Sequence, residues 1–387
     1  MRESAQSLEL RIKRQRAMKA FPPGELGTAD IPASRYTSQE WFALEQERVF
    51  RGPVWLLAGH GSRVAQPGDY FTFQTGPQGS VLVVRNREGR LRAFHNVCRH
   101  RGFEVAQGSG NAGRFRCAYH GWTYDLDGQL THVVDEEQFH GLERSCRGLL
   151  PVRAETWAGW IWLTLSPAAP PLREYVRDFA EEFEGYGIEA WEVIDEDSWV
   201  FPANWKVVID NFIEVYHIPN LHPQTVTPFF ELRAAVMDTY ERHTRMVLPF
   251  KFQDAPLAPE ADRGVPVSIP PRLDAVQRNA DMHYLVYPNT VFNLVPTYAT
   301  MFALVPLGVR ETRFDYQILG IGPLEGDTAR YYEQVAAAFR EPLKEDFGIF
   351  AGVQRGLDSR ALGGLPLNYQ EVRIRHFHEV LSRDVGR

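Results

Sequence analysis

Cysteine is scarce in this chain, three in 387 residues. That excludes a disulfide framework and fits a reducing compartment, so a cytoplasmic location is expected. Long apolar runs are missing too. The stretch Trp160-Ile161-Trp162-Leu163 is far shorter than the ~20 residues of a membrane-spanning helix. Met1-Arg2-Glu3-Ser4 lacks the apolar core of a signal peptide, and no membrane association is expected. Positive charge is not in surplus: 42 Lys and Arg stand against 49 Asp and Glu, a net charge of −7. This argues against a nucleic-acid partner, which demands a basic surface, while a mildly acidic surface suits docking of a small electron carrier. Internal repeats and low-complexity tracts are absent.

Two of the three cysteines sit in Cys-His pairs. Cys98-Arg99-His100 is followed, after sixteen intervening residues, by Cys117-Ala118-Tyr119-His120. Two thiolates and two imidazoles are the ligand set of a Rieske [2Fe–2S] centre, where histidines replace two cysteines on one iron and raise its potential. Tetrahedral zinc accepts the same donors, but zinc fingers usually pair Cys with Cys and His with His. Here each half supplies one of each, which favours the cluster; a brown protein with a reduced-state EPR signal separates it from zinc. Gly102 and Gly121 follow the pairs where a tight turn is needed, and Tyr119 and Trp122 are placed to shield the centre. Cys146 is left over and reads as a small buried apolar residue.

At this length there is room for two domains. Residues 1–45 form a charged helical lead, with Leu8, Ile12 and Met18 set among Arg and Lys, expected to pack on the C-terminal domain; Pro22-Pro23-Gly24 ends its helix. Residues 46–166 are short β-type runs such as Val81-Leu82-Val83-Val84, separated by turns of which Asp125-Leu126-Asp127-Gly128 is a strong hairpin signal. Gly108-Ser109-Gly110-Asn111-Ala112-Gly113 satisfies the dinucleotide pattern, but no helix follows, so it reads as a turn and the chain is not expected to bind NAD(P)H or flavin itself. Ser166-Pro167-Ala168-Ala169-Pro170-Pro171 marks the junction. Residues 167–387 hold a helix over 172–186, strands over 282–287, 290–295 and 314–319, and a long amphipathic helix over 328–357. The class is α+β: a small all-β domain, then a domain whose antiparallel sheet is flanked by helices, of helix-grip type.

Asn96-Val97-Cys98-Arg99-His100-Arg101-Gly102 and Cys117-Ala118-Tyr119-His120-Gly121-Trp122-Thr123-Tyr124 resemble the cluster-binding segments of Rieske non-haem iron oxygenase α subunits, and the likeness runs from about Tyr36 to near the C-terminus. A second site then comes into view. Asn204-Trp205-Lys206 opens a helical stretch that passes Asp210, Asn211 and Glu214 and ends at Pro219, with Glu214 and His217 on one face and His222 beyond the break. The spacing is similar to the family's iron-binding segment, Asp/Glu-x2-His-x4-His. A two-histidine iron site needs one carboxylate. Asp346 lies within the apolar stripe Phe339, Leu343, Phe350, Val353 and Leu357, where a lone carboxylate is costly unless bound, whereas Glu345 faces about 100° away. Asp346 is preferred, with Glu345 or a pairing of Asp346 with an Arg left open.

The resemblance implies one [2Fe–2S] cluster on Cys98, His100, Cys117 and His120, and one mononuclear Fe(II) on His217, His222 and Asp346. It further implies that Glu214 links a cluster histidine of one subunit to an iron histidine of its neighbour in a homotrimer, orienting His120 and His217. Many ring-hydroxylating members carry Asp there; members acting on quaternary ammonium compounds resemble this chain in having Glu. Asp210 and Asn211 either assist the site or only cap and solvate the helix. A ferredoxin or flavin reductase would deliver electrons, O₂ and a small organic compound would be the substrates, and a β subunit is possible. Phe212, Ile213, Phe229, Phe230, Phe292 and Asn293 are expected to line the pocket. The phenylalanines favour an aromatic or similarly apolar substrate for hydroxylation or dihydroxylation; the alternative is oxidative N-demethylation of a quaternary ammonium compound held by cation–π attraction. From another class, an electron carrier with a structural extension predicts a single iron site.

Overall fold

Val81, Leu82, Val83 and Val84 are apolar without alternation, the pattern of a strand covered on both faces, and all four are buried. In a computed structural model, which describes residues 3–18, 27–77, 79–251 and 266–387, they form the strand Ser80–Arg85. It lies between Asp69–Gln74 and Leu91–His95 in a four-stranded sheet whose far edge is Ser109–Asn111. The Gly108–Gly113 segment, expected as a turn, thus carries this edge strand, and no helix follows it. Trp160–Thr164 is the middle of a second antiparallel sheet, between Arg153–Trp157 and Leu56–His60. A third sheet holds Phe115–Arg116, Thr123–Tyr124 and Leu130–His132. Asp125 makes its turn: Oδ1 accepts the backbone N–H of Asp127 and Gln129, each at 2.9 Å. Gly128 closes it at φ +78°, and a Cβ there would meet the Phe94 ring at 2.5 Å, so only glycine fits.

These strands belong to one unit, Phe50–Tyr175; Met1–Val49 and Val176–Arg387 form the other. The division lies beyond the proline-rich segment because Leu172–Tyr175 is a separate short helix, whose Leu172 N–H donates to Glu155 Oε2 at 3.0 Å. The expected helix over 172–186 is therefore broken, resuming as Ala180–Tyr186 and capped by Gly187 at φ +67°.

The larger unit is built on a seven-stranded antiparallel sheet. In chain order its strands are β1 (Glu192–Phe201), β2 (Val236–Thr239), β3 (Thr244–Pro249), β4 (Ala280–Val286), β5 (Thr290–Leu294), β6 (Tyr298–Gly308) and β7 (Glu311–Gly320), arranged β1-β7-β6-β5-β4-β3-β2. Among its helices are α1 (Ala5–Ala17), α2 (Trp205–Phe212), α3 (Ile218–Leu221), α4 (Gly326–Asp358) and α5 (Val372–Val385). Leu8 and Ile12 bury one side of α1, while Arg11 reaches Asp238 at 2.6 Å. The Pro22-Pro23-Gly24 stop lies outside the described residues.

Aromatic packing places α2 and α4 on the sheet. Phe347 of α4 meets Phe201 and Phe314 at 4.6 and 5.5 Å between centroids, and Phe212 of α2 meets Phe302 and Phe314 at 4.9 and 5.2 Å. Asn204 caps α2, its Oδ1 accepting Lys206 N–H at 3.1 Å, and its own N–H donates to Gln354 Oε1 of α4 at 2.8 Å. The two helices are thus tied together at one end. Val353 is exposed and Gln354 is buried, against the expected stripe. Steps of seven residues drift by ~20° per heptad on a straight helix, so the buried face passes from Asp346 through Phe350 to Gln354 and Leu357. Among the described residues no helix is long and apolar enough to cross a membrane.

Candidate active site

Each Cys-His pair lies on a loop of the same internal form. Cys98 N–H donates to the Phe103 carbonyl and accepts, at its own carbonyl, Gly102 N–H, at 2.8 and 3.0 Å; Cys117 does the same with Trp122 and Gly121 at the same distances. Gly102 and Gly121 have φ of +80° and +71°, the conformation glycine adopts without cost. The first loop follows the strand Leu91–His95 and the second is the tip of the hairpin joining Phe115–Arg116 to Thr123–Tyr124. They bring the His100 and His120 rings to 4.5 Å between centroids, with Cys98 and Cys117 both buried and in no disulfide.

The donor set fits a metal cluster on its own terms. His100 Nδ1 is buried without a hydrogen-bond partner among the described residues, a costly state unless the nitrogen binds something else. Burial pushes the Cys117 thiol up, while backbone N–H groups of Tyr119 and His120 favour its thiolate. Trp122 stacks on His100, rings 5.0 Å apart and 10° from parallel. Tyr119 is half exposed, at 52 %, and shields less than expected. Cys146 is exposed, on a surface turn over Arg144–Cys146, rather than buried.

Tyr124 was quoted in the motif without a role. Its Oη accepts Arg99 N–H at 2.9 Å and lies 3.4 Å from Cys98 Sγ, so its own proton is free to point at sulfur. A donor to a cluster sulfur stabilises the reduced, more negative state. Tyr124→Phe is expected to lower the cluster potential by roughly 20–60 mV, one neutral hydrogen bond, as read by potentiometric titration.

The second site is assembled differently from the expected helix. α2 ends at Phe212, and residues 213–217 form no helix. Pro219 begins the short α3 rather than ending a long one, because proline lacks an N–H and fits a first turn. Glu214 and His217 therefore share a turn and not a helical face. The Glu214 carboxylate accepts the backbone N–H groups of Tyr216 and His217 and contacts His217 Nδ1. His222 follows α3, where its Nδ1 meets Glu345 Oε2 at 2.6 Å and its Nε2 meets Asp346 Oδ1 at 3.0 Å. His217 Nε2 lies 3.7 Å from the same Oδ1.

Both imidazoles are thus gripped at Nδ1 by a carboxylate and turn Nε2 toward Asp346. His217, His222 and Asp346 offer one donor atom each, all within 4.8 Å of one another. Two imidazoles and one carboxylate converging, with outer carboxylates fixing the ring tautomers, match a two-histidine-one-carboxylate iron site. Burial opposes charge on His222, but its bonds to Asp346 and Glu345 outweigh this and raise its pKa. Asn211 Nδ2 donates to Asp346 Oδ1 at 2.8 Å. Asp210 is turned elsewhere, toward Tyr36 Oη at 2.6 Å and His378 Nε2 at 3.2 Å, because neighbouring helical positions point about 100° apart. The orienting role of Glu345 was not legible: residues 222 and 345 meet only through the tertiary fold.

Beside these residues lies a cavity of about 420 Å³ with mostly apolar walls, among them Phe212, Phe229, Phe230, Phe250, Phe302 and Phe339. Asn293 lines it, but Phe292 does not: successive strand residues face opposite ways, and Phe292 packs on Phe183 at 5.3 Å. Ile213 is buried outside the lining as well. Phe229 is at the rim, 52 % exposed.

Comparison with known proteins extends these geometries. Residues 188–386 match the model of the ring hydroxylating alpha subunit catalytic domain, and residues 54–145 match the Rieske [2Fe-2S] domain. The chain is 29% identical over 365 residues to the carnitine monooxygenase oxygenase subunit of Acinetobacter pittii (strain PHEA-2), covering 90% of this chain and 91% of that one. It is 30% identical to the chloroplastic choline monooxygenase of Beta vulgaris, covering 92% and 77%. The crystal structure of the quaternary ammonium Rieske monooxygenase CntA with L-carnitine superposes with a TM-score of 0.77 at 26% identity, covering 93% of this chain and 97% of that one. A catalytic-domain match over half the chain is incompatible with a bare electron carrier, and the match at Cys98–His120 sets zinc aside. The chain belongs to the Rieske non-haem iron oxygenases as an α subunit, with a [2Fe–2S] cluster in one domain and a mononuclear iron in the other.

Proposed function

We propose that this terminal oxygenase acts as a monooxygenase on a quaternary ammonium compound. The observation that carries the reading is a cavity walled by aromatic rings beside the His217, His222 and Asp346 donors. Aromatic faces attract an onium head by cation–π interaction, by up to ~2 kcal/mol once desolvated. The same rings would also suit an aromatic substrate. The relatives' own substrates and Glu214 in place of Asp support the onium compound, and the aromatic preference drawn from the phenylalanines gives way to it.

His217, His222 and Asp346 would hold the iron, and the iron would supply O₂ activation with electrons from the cluster. Glu214 and Glu345 lock the tautomers of the two imidazoles through Nδ1. Asn211 holds Oδ1 of Asp346 so that the carboxylate keeps one orientation. The apolar wall excludes bulk water from the reacting carbon. Glu214 also stands as the link to a neighbouring subunit's cluster in a homotrimer, with a ferredoxin or flavin reductase as electron source.

Oxygen uptake with a competent reductase tests the reading. Choline or carnitine is expected to accelerate O₂ consumption with oxidised product in step; an aromatic hydrocarbon is expected to yield peroxide without product. The reverse outcome would restore ring hydroxylation.

A further inference from the structure

The wall of the cavity carries an acid that the iron site does not use. Asp281, on β4, lines the cavity and is 8 % exposed. Its Oδ1 is buried with no hydrogen-bond partner among the described residues. Its cross-strand neighbour on β3 is Leu248, also a lining residue. Burial pushes the carboxyl up to about 8, with Arg373 and the Leu294 N–H working the other way. Such an acid keeps its proton in apolar surroundings and releases it when a cation arrives. Among the described residues no Lys or Arg lines the cavity. Arg373, fully buried, lies behind the lining: its Nη2 reaches His283 Nδ1 at 3.0 Å and its Nε donates to Thr244 Oγ1 at 2.8 Å.

We infer that Asp281 is the counter-charge for the substrate's onium head, and that the substrate is a monocation with an uncharged tail and no carboxylate of its own. A zwitterion of the carnitine or betaine kind would bring a carboxylate into a cavity with no Lys or Arg on its wall among the described residues, where burial and Arg373 hold His283 neutral, at the cost of a buried anion without a counter-charge. A choline-like monocation meets one carboxylate and several aromatic faces. Asp281 is then a specificity-determining residue outside the iron donor set, with no part in the oxygen chemistry.

The inference rests on the onium reading above, and calorimetric binding to the metal-loaded enzyme separates the two. The probes are choline, its neutral isostere 3,3-dimethylbutan-1-ol, and L-carnitine. The wild type is expected to bind choline about tenfold or more tighter than either other probe, the factor of one desolvated charge contact. Asp281→Asn is expected to bring choline to near parity with the isostere while leaving the isostere's own affinity in place, which also reports that the cavity is folded. Should that variant fail to fold, the wild-type ranking alone decides. Carnitine binding tighter than choline would overturn the inference and point to Arg373 and His283 as a carboxylate site. An unchanged choline-to-isostere ratio in Asp281→Asn would overturn it too, with the onium reading intact. If no onium compound binds the wild type, the onium reading falls and this inference with it.

Discussion

His222→Ala is expected to remove the mononuclear iron and lower turnover by ~10³-fold or more, the scale on which a metal centre stabilises charge in the reaction. The variant should keep the brown colour and EPR signal of the cluster, because Cys98, His100, Cys117 and His120 all belong to the other unit. His222 is 2 % exposed and held between two consecutive carboxylates, Glu345 and Asp346. Its loss leaves Asp346 with one imidazole, too few donors to retain the iron against solvent. Metal analysis should show the iron content fall from three to two per chain. Full iron content in the variant would rule out the ligand assignment made here.

Lys206→Met is expected to destabilise the larger unit by about 3–5 kcal/mol, the cost of stranding a buried charge, seen as a fall in Tm of roughly 10 °C. Lys206 and Glu45 are both fully buried, 2.7 Å apart. Glu45 also accepts the indole N–H groups of Trp41 and Trp205 at 2.7 and 2.8 Å, so each oxygen keeps a donor without Lys206 but the carboxylate loses its counter-charge. Burial holds the Lys206 ammonium below the ordinary lysine range, against the pull of Glu45. Adding Glu45→Gln should recover part of the loss, since an amide is less costly to bury unpaired than a carboxylate. A double variant no more stable than the single one would show that the stranded charge is not the cause. Because Trp205 and Lys206 open α2, the same ion pair holds the helix that delivers Asn211 to Asp346.

The parts of the site legible in the sequence are those whose signal is local. Two Cys-His loops with glycine at fixed offsets need nothing outside twenty-five residues, and the His217–His222 spacing is local too. Asp346 was legible because an apolar stripe makes a lone acid conspicuous. The end of α2 was not: Pro219 either stops a helix or starts one, and its own sequence does not say which. Val353 was misplaced by carrying one apolar stripe along a 33-residue helix, where the drift accumulates. Glu345, Tyr124 and Asp281 take their roles from partners that only the fold brings near; as isolated letters each is an ordinary surface or core residue.

The larger unit is written in two instalments, with the cluster unit's sequence set between them. Ile31–Pro32 pairs with Gly364–Leu365, and Arg35 donates to the His378 carbonyl and to Ser382 Oγ at 3.1 and 2.6 Å. These contacts of Ile31, Pro32 and Arg35 therefore cannot form until the closing strand and helix have been made. Newly made chains pass through an interval in which the cluster unit can already be shaped while the larger unit is still incomplete, and a lesion in the closing helix loosens the segment around Arg35 as well.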